Sequence, residues 1–244
     1  GGAVFPTAQK LMQARSVDVN LLILNGVECE PYISCDDVLM RERADAVLVG
    51  AQILMRAVQA DACCVAIESD KPEAMQHLSG ALAELDDPRI SLRLVPTVYP
   101  SGGEDQLVQL LTDREVPSGG LPTDVGCIVH NVGTAAAVYD WIVTGEPLIS
   151  RVTTVTGDGV SEPVNVRARL GTPVAELVQC AGGYTERARH LVIGGPMTGK
   201  SIGTDQVPLP KSGNCILVVS GVAQAVDELP CIRCGDCATV CPVQ

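Results

Sequence analysis

Leu21-Leu-Ile-Leu-Asn25-Gly-Val-Glu28-Cys-Glu30-Pro-Tyr32 is a short apolar run that passes directly into an acidic loop. The run at 21–25 predicts a buried β-strand. Polar residues that follow such a strand lie at its carboxyl end, where α/β sheets bind their ligands. Glu28 and Glu30 are therefore candidate acceptors for hydrogen bonds from ribose hydroxyls or a nicotinamide amide. The alternative for this loop is an acidic segment that only faces solvent.

Strands and helices alternate over the first 150 residues. The predicted strands are 21–25, 63–67, 91–96 and 127–129, and the predicted helices are 36–60, 72–85, 104–111 and 135–143. This alternation predicts an α/β fold with a Rossmann-like, mainly parallel sheet.

The pattern changes near Pro147, where a strand-rich region begins. Strands are predicted at 151–156, 164–168, 191–193 and 216–219, with one helix at 173–181. Two strands, a helix and two more strands favour a small β-grasp-like domain. We therefore expect an α/β domain at 1–149 that lacks its N-terminal part, a β-grasp-like domain at 150–221, and a third unit at 222–244 that begins with a helix near Val222.

The composition excludes several classes of partner. The formal charge of −12 repels nucleic acid and anionic lipid headgroups, so neither is an expected direct partner. No stretch reaches the roughly 18 apolar residues of a membrane span. Apolar residues make up 46% of the chain but aromatic residues only 2%, so the core must be built from aliphatic side chains.

The third unit carries Cys231-Ile-Arg-Cys234-Gly-Asp-Cys237-Ala-Thr-Val-Cys241-Pro. This spacing is typical of bacterial ferredoxins, in which the fourth cysteine binds the other of two [4Fe–4S] clusters. The four thiols are thus candidate cluster ligands, and we expect a fragment cut inside a two-cluster module, with its own cluster incomplete. Zinc is the alternative metal, although zinc sites usually pair two C-x₂-C units across a longer gap. The other seven cysteines show no framework spacing and are interpreted as buried free thiols in a reducing compartment.

Further polar loops accompany the first one. Residues 1–7 form a Gly-rich turn before a helix that contains Lys10, and Glu104 with Asp105 and Asn131 with Thr134 follow two more predicted parallel strands. A Gly-rich helix start can bind an anion, and parallel strands bring their carboxyl ends to one sheet edge. Because a downstream cluster takes single electrons and a nicotinamide delivers a hydride, this combination favours a flavin at that edge.

Six motifs together resemble a known family. They are Gly1-Gly-Ala-Val-Phe-Pro-Thr, Asn25-Gly-Val-Glu-Cys-Glu-Pro-Tyr, Tyr99-Pro-Ser-Gly-Gly-Glu, Asn131-Val-Gly-Thr, Gly194-Gly-Pro-Met and Cys231-Ile-Arg-Cys. In this order, along the whole chain, they resemble the C subunit of the Rnf electron transport complex and, more distantly, the flavoprotein (51 kDa) subunit of respiratory complex I. The resemblance implies an FMN- and NADH-binding α/β domain, an SLBB-type β-grasp domain and a ferredoxin-type module.

The resemblance also implies a set of site residues. FMN contacts would come from Gly1, Gly2, Lys10, Asn25, Glu28, Tyr99, Gly103, Glu104, Asn131 and Thr134. NADH contacts would come from Phe5, Glu30 and Asp105, with Phe5 as the ring that stacks on adenine. No side chain is implied as a catalytic acid or base.

The implied function is electron transfer between NADH, FMN and [4Fe–4S] clusters in an ion-translocating ferredoxin:NAD oxidoreductase. The protein would lie peripherally on the cytoplasmic face of the bacterial inner membrane, with other subunits of the complex as partners and ferredoxin as an indirect redox partner. This segment alone is not expected to be active.

Two other functions are compatible with the same motifs. One is a corrin reductase of the same family. The other is an electron-relay or assembly subunit that binds no nucleotide. It is favoured by Val4, which replaces a glycine of the family's first motif, and by Val27 and Gly133 at positions where the complex I flavoprotein has acidic residues.

Overall fold

The computed structural model describes residues 5–221 and 230–241. The predicted flavin residues Gly1 and Gly2 and the predicted helix start at Val222 lie outside this range. The helices are α1 (Thr7–Ala14), α2 (Cys35–Glu42), α3 (Ala44–Val58), α4 (Pro72–Leu85), α5 (Glu104–Thr112), α6 (Val132–Tyr139), α7 (Val174–Cys180) and α8 (Asp236–Val240). The strands are β1 (Leu21–Gly26), β2 (Ala62–Glu68), β3 (Ile90–Val95), β4 (Cys127–Asn131), β5 (Ser150–Thr156), β6 (Val164–Arg169), β7 (His190–Ile193), β8 (Lys200–Ile202) and β9 (Cys215–Val219).

The first four strands form one parallel sheet in the order β3-β2-β1-β4. One face packs against α3, α4 and α6 through a large aliphatic cluster, and the other face packs against α5. Because both faces of the sheet are buried, the sequences of β1 and β2 are continuous apolar runs and do not alternate between apolar and polar residues. The predicted α/β fold with a mainly parallel sheet is confirmed.

The last five strands form a mixed sheet in the order β6-β5-β9-β7-β8. β5 and β6 are an antiparallel hairpin, whereas β5 and β9 run parallel in the middle of the sheet. One face buries the apolar side of α7. A hairpin, a helix and a parallel central pair give the β-grasp-like arrangement expected from the sequence.

The predicted helix at 36–60 is wrong in one respect, because it is two helices. Arg43 separates α2 from α3 with φ −138° and ψ 40°, which are not helical values. Its guanidinium donates two hydrogen bonds to Asp140, at 3.0 and 2.6 Å. The apolar spacing continues across the break without a Gly or Pro, so only this long-range ion pair distinguishes the two helices.

Two other local predictions differ from the structure. The helix predicted at 135–143 starts three residues earlier, at Val132, and ends at Tyr139, where a π-helical turn of five residues follows. The short strand β8 was not predicted, since three residues are too few to show a periodic pattern.

Within the described part of the chain, every helix is too short or too polar to cross a bilayer.

The parallel sheet depends on close contact between α3 and α6 at Gly50. A Cβ atom built on Gly50 overlaps the carbonyl oxygen of Ala135 in α6, whereas one built on Gly80, on the exposed face of α4, meets nothing within 4 Å. We predict that Gly50→Ala lowers the free energy of unfolding by about 2 kcal/mol, because the helices must separate. Gly80→Ala, the matched control, should raise it by about 0.5–1 kcal/mol. Urea denaturation measures both, and equal effects would contradict the proposed contact.

Candidate functional site

The order of the parallel sheet reverses between β1 and β4. The chain runs outward from β1 through β2 to β3 and then returns to the other side of β1 as β4. In open α/β sheets a ligand crevice forms at the carboxyl ends of the two strands that flank such a reversal. Asn25 and Asn131 are register partners near these two ends. The predicted polar loops therefore do meet at one edge of the sheet.

Asn131 connects three elements at this edge. Its Oδ1 accepts a hydrogen bond from the Gly133 amide at 2.8 Å and so caps α6. Its Nδ2 donates to Asp36 Oδ2 at 2.6 Å and to the Asn25 carbonyl at 3.3 Å. The side chain thus holds the starts of α2 and α6 beside the end of β1.

Asn25 fixes the loop that follows β3. Its Nδ2 donates to the Gly102 carbonyl at 2.9 Å, and its Oδ1 accepts from the Val27 amide at 3.0 Å. A Cβ atom on Gly102 would lie 2.8 Å from the Val27 carbonyl oxygen, so only glycine permits this approach. Gly103 is the next residue and stands at the N-cap of α5.

Lys10 reaches this edge from α1. Its ammonium donates to the carbonyl of Val129 in the edge strand β4 at 2.7 Å and to Glu104 Oε1 at 2.5 Å. An ammonium has three donors, so one remains available for a ligand. The predicted flavin residues Lys10 and Glu104 are therefore in direct contact.

Glu28 turns away from the open edge and covers the start of α2. Its two oxygens accept from the amides of Asp36 and Asp37, at 2.9 and 3.3 Å, and Oε1 also accepts from the Cys35 thiol at 3.2 Å. Burial, and then the nearby Asp36 carboxylate, raise the pKa of Glu28 to about 8. The side chain is therefore mainly protonated at neutral pH.

Glu30 binds the loop between β7 and β8. Its Oε2 accepts from the amides of Met197 and Thr198 at 3.0 and 3.3 Å, and its Oε1 accepts from the Thr198 hydroxyl. A Cβ atom on Gly195 would overlap this carboxylate. The motif Gly194-Gly-Pro-Met is thus part of the loop that binds Glu30.

The other predicted nucleotide residues lie at the surface of the same region or near it. Phe5, Tyr99 and Asp105 are exposed, and Thr134 is partly buried in the first turn of α6. None of these four side chains makes a hydrogen bond to another described residue. They are available to a ligand but are not brought together by contacts of their own.

Sequence reasoning missed two buried polar groups here. Glu68, at the end of β2, is 1% exposed, and burial followed by the Asp70 charge raises its pKa. His130 precedes Asn131 in β4, and burial followed by the nearby Lys10 lowers its pKa to about 4. Glu68 Oε1 and His130 Nε2 have no partner among the described residues. The only signal for Glu68 was a carboxylate at the end of an apolar strand.

The four cysteines of the ferredoxin-type spacing surround α8. Cys231, Cys234 and Cys237 are exposed and Cys241 is partly buried. Gly235, with φ 84°, lets the chain turn into α8 between the second and third thiols. Of the other seven, five are buried and Cys29 is partly buried, but Cys180 is exposed, which corrects the expectation that all seven are buried.

Comparison with known proteins agrees with this geometry. Residues 1–140 match the Nuo51 FMN-binding domain, and residues 152–201 match the SLBB domain. The chain belongs to the Nuo51 FMN-binding domain family. The match covers more than half of the chain, including β1, β4 and all the loops at the crevice.

Curated relatives have the same name as the family recognised from the motifs. The C subunit of the ion-translocating oxidoreductase complex of Pseudomonas aeruginosa is 51% identical over 245 residues, covering 100% of this chain and 31% of that protein. The C subunits of the same complex from Rhodobacter capsulatus and Vibrio cholerae are 44% and 46% identical and are covered over 47% and 31% of their length. The resemblance is confirmed, and the chain spans about a third to a half of these relatives.

Solved structures show the same fold. Crystal structures of an NAD⁺-reducing [NiFe]-hydrogenase in the air-oxidised and H₂-reduced states align with TM-scores of 0.71 and 0.68 at 23% identity. Each alignment covers 89% of this chain and 43% of the other.

The crevice of this Nuo51-family chain has the chemistry that FMN requires. Lys10 and the first turn of α6 offer positive charge and N–H donors suited to a phosphate, and the Asn25 and Asn131 amides lie between them. Two buried polar atoms, Glu68 Oε1 near the end of β2 and His130 Nε2 in β4, lack partners among the described residues, and these two strands lie on either side of β1. The residues of the crevice are therefore suited to FMN.

The raised pKa of Glu28 predicts a pH-dependent stability. From about pH 4.5 to 8 the folded chain holds a proton on Glu28 that the unfolded chain releases, so this contribution to stability falls as pH rises. We predict that the unfolding free energy of the wild type minus that of Glu28→Gln decreases over this range, by at most about 1.4 kcal/mol per pH unit. Urea unfolding at pH 5, 6, 7 and 8 tests this, and a constant difference would rule out the raised pKa.

The hydrogen bonds of Glu30 predict that its removal destabilises the fold more than the removal of an ordinary loop carboxylate. An isolated loop carboxylate contributes about 0.5 kcal/mol or less. Because three donors of the 194–199 loop bind Glu30, we predict that Glu30→Ala lowers the unfolding free energy by about 1–2 kcal/mol. Glu84→Ala, on the exposed face of α4, is the matched control and should change little. Indistinguishable denaturation midpoints for the two variants would refute the docking role.

Proposed function

We propose that this chain is the flavin-binding and nicotinamide-binding part of an electron-transfer subunit in an ion-translocating ferredoxin:NAD oxidoreductase. The observation that carries the proposal is the convergence of Asn25, Asn131 and the Lys10–Glu104 pair at the reversal of the parallel sheet. The matched family model and the names of the relatives support it. Bound FMN supplies conversion between the hydride chemistry of nicotinamides and the one-electron chemistry of clusters.

In this proposal the side chains position the ligand and tune the charge around it. Lys10 provides a cation within reach of the flavin, and its pairing with Glu104 fixes the ammonium before the ligand binds. Asn25, Asn131, Gly103 and Thr134 form the polar wall between β1, α5 and α6. Gly1, Gly2, Glu28 and Tyr99 complete the proposed FMN set, while Phe5, Glu30 and Asp105 are proposed to contact NADH.

We further propose the domain layout 1–149, 150–221 and 222–244, with Cys231, Cys234, Cys237 and Cys241 as ligands of [4Fe–4S] clusters. The spacing and the exposure of the thiols support this assignment. Iron and acid-labile sulfide in the anaerobically purified full-length protein would fall in Cys234→Ala, which removes a ligand of one of the two clusters, and stay unchanged in Cys180→Ala, which removes an exposed thiol outside the spacing. Zinc without sulfide would instead support the zinc alternative.

The place of the protein in the cell is part of the same proposal. We place it peripherally on the cytoplasmic face of the bacterial inner membrane, in contact with other subunits of its complex and indirectly with ferredoxin. The names of the relatives describe one component of a translocating complex, which supports this location.

Flavin titration tests the proposed site. We predict that Lys10→Met raises the dissociation constant of FMN about tenfold or more, because a charge-assisted hydrogen bond is lost. Lys211→Met, a surface lysine of the second sheet region, is the matched control and should bind FMN like the wild type. Fluorescence quenching of FMN measures the constants. Equal affinities for both variants would remove Lys10 from the site, and absence of FMN binding by the wild type would favour the relay function.

A further inference from the structure

A cavity of about 70 Å³ lies where the two sheets meet. Helices α2 and α6 form one wall, and residues 146–152 together with β6 form the other. Its charged lining consists of Arg43, Arg151, Arg167, Asp36, Asp140 and Glu146. About 10–15 Å³ of such volume is enough for one water molecule, so the space admits a group larger than one water.

Two of the three arginines are already paired. Arg43 binds both oxygens of Asp140, and Arg167 donates to Glu146 at 3.0 Å and to Ser150 Oγ at 3.0 Å. Their charges are therefore compensated within the wall of the cavity.

Arg151 has no such partner. Its side chain forms no hydrogen bond or ion pair with any other described residue, and its Nε atom is buried. Its Nη1 lies 3.7 Å from the position that a Cβ atom would take on Gly133. The guanidinium therefore stands beside the first turn of α6. Arg151 as a whole is partly exposed, but a buried donor such as its Nε is costly without an acceptor, which favours an acceptor from outside the chain at this place.

The first turn of α6 adds a second source of attraction for an anion. Only the Gly133 amide is capped, by Asn131, so further N–H groups of this turn have no helical acceptor. A guanidinium fork and a helix N-terminus both suit the oxygens of a tetrahedral phosphate. The one opposing group is Asp36, whose Oδ2 is bound to the Asn131 amide rather than to a cation.

We propose that this cavity binds a phosphate group, with Arg151 as its main ligand. The second sheet would then contribute the guanidinium, and the first sheet would contribute the start of α6. The group is either the phosphate of FMN, since α6 starts at the proposed flavin crevice, or free inorganic phosphate. Only the first source rests on the proposed function.

The experiment compares Arg151→Gln with Arg169→Gln. Arg169 lies on the same hairpin, is exposed and does not line the cavity, so this variant makes the same change of charge elsewhere. For each protein, the melting temperature is measured with inorganic phosphate and with sodium chloride at equal ionic strength, and dissociation constants are measured for FMN and for riboflavin, which lacks the phosphate.

Each source predicts a different result. If the phosphate belongs to FMN, the wild type and Arg169→Gln bind FMN at least about tenfold more tightly than riboflavin, and Arg151→Gln loses this preference with riboflavin affinity unchanged. If the ligand is free phosphate, it raises the melting temperature of the wild type and Arg169→Gln but not of Arg151→Gln. FMN binding that is independent of Arg151, together with no phosphate effect, overturns this inference while leaving the proposed function intact. A phosphate effect that depends on Arg151, without any flavin binding, supports this inference and overturns the proposed function.

Two further variants keep the test decisive if Arg151→Gln does not fold. Asp36→Asn removes the opposing carboxylate and should tighten the binding of the phosphate group several-fold. Arg151→Lys keeps the charge but loses the fork, so its affinity should fall between those of the wild type and Arg151→Gln. Unchanged binding in both variants would overturn the proposal.

Discussion

The segment 26–35 lies between the two sheets, and the relative position of the sheets depends on its contacts. Glu28 covers the start of α2, Glu30 binds the loop 194–199, and the Ser34 amide donates to Thr154 of β5. Ile33 and Cys35 fill an apolar cluster on the face of the second sheet that α7 leaves free. Because polar groups removed from water must be paired, these contacts allow one relative position of the two sheets.

In the proposed site, this constraint would give the acidic residues of the crevice two functions at once. Both oxygens of Glu30 are bound to the second sheet's loop, so a nucleotide that used this carboxylate would compete with the Met197 and Thr198 amides. Glu28 is held in the same way by α2. Among the described residues of the predicted site, the side chains without such contacts are the exposed Phe5, Tyr99 and Asp105 and the partly buried Thr134. Ligand binding and the junction between the sheets are thus physically linked.

The sequence predicted those features that a short window of residues determines. The helix α4 begins and ends where its Pro72 start and apolar spacing place it, and the buried runs became β1, β2 and β4. The split of the helix at Arg43 depends on Asp140, 97 residues away, and could not be read locally. For the same reason the crevice itself was predictable from strand ends, whereas the direction of Glu28 and Glu30 within it was not.

The charges at the junction are balanced locally although those of the whole chain are not. The chain carries 29 acidic and 17 basic residues, yet one small cavity between the sheets is lined by three arginines and three acidic residues. Arg43, at the break between α2 and α3, pairs with Asp140 just after α6, and Arg167 of β6 pairs with the partly exposed Glu146 of the loop before β5. The guanidinium of Arg151 is then the one cation of this lining without a carboxylate partner among the described residues, and Asp36 is the carboxylate that opposes it. The proposed anion would therefore add the acceptor that this part of the junction lacks.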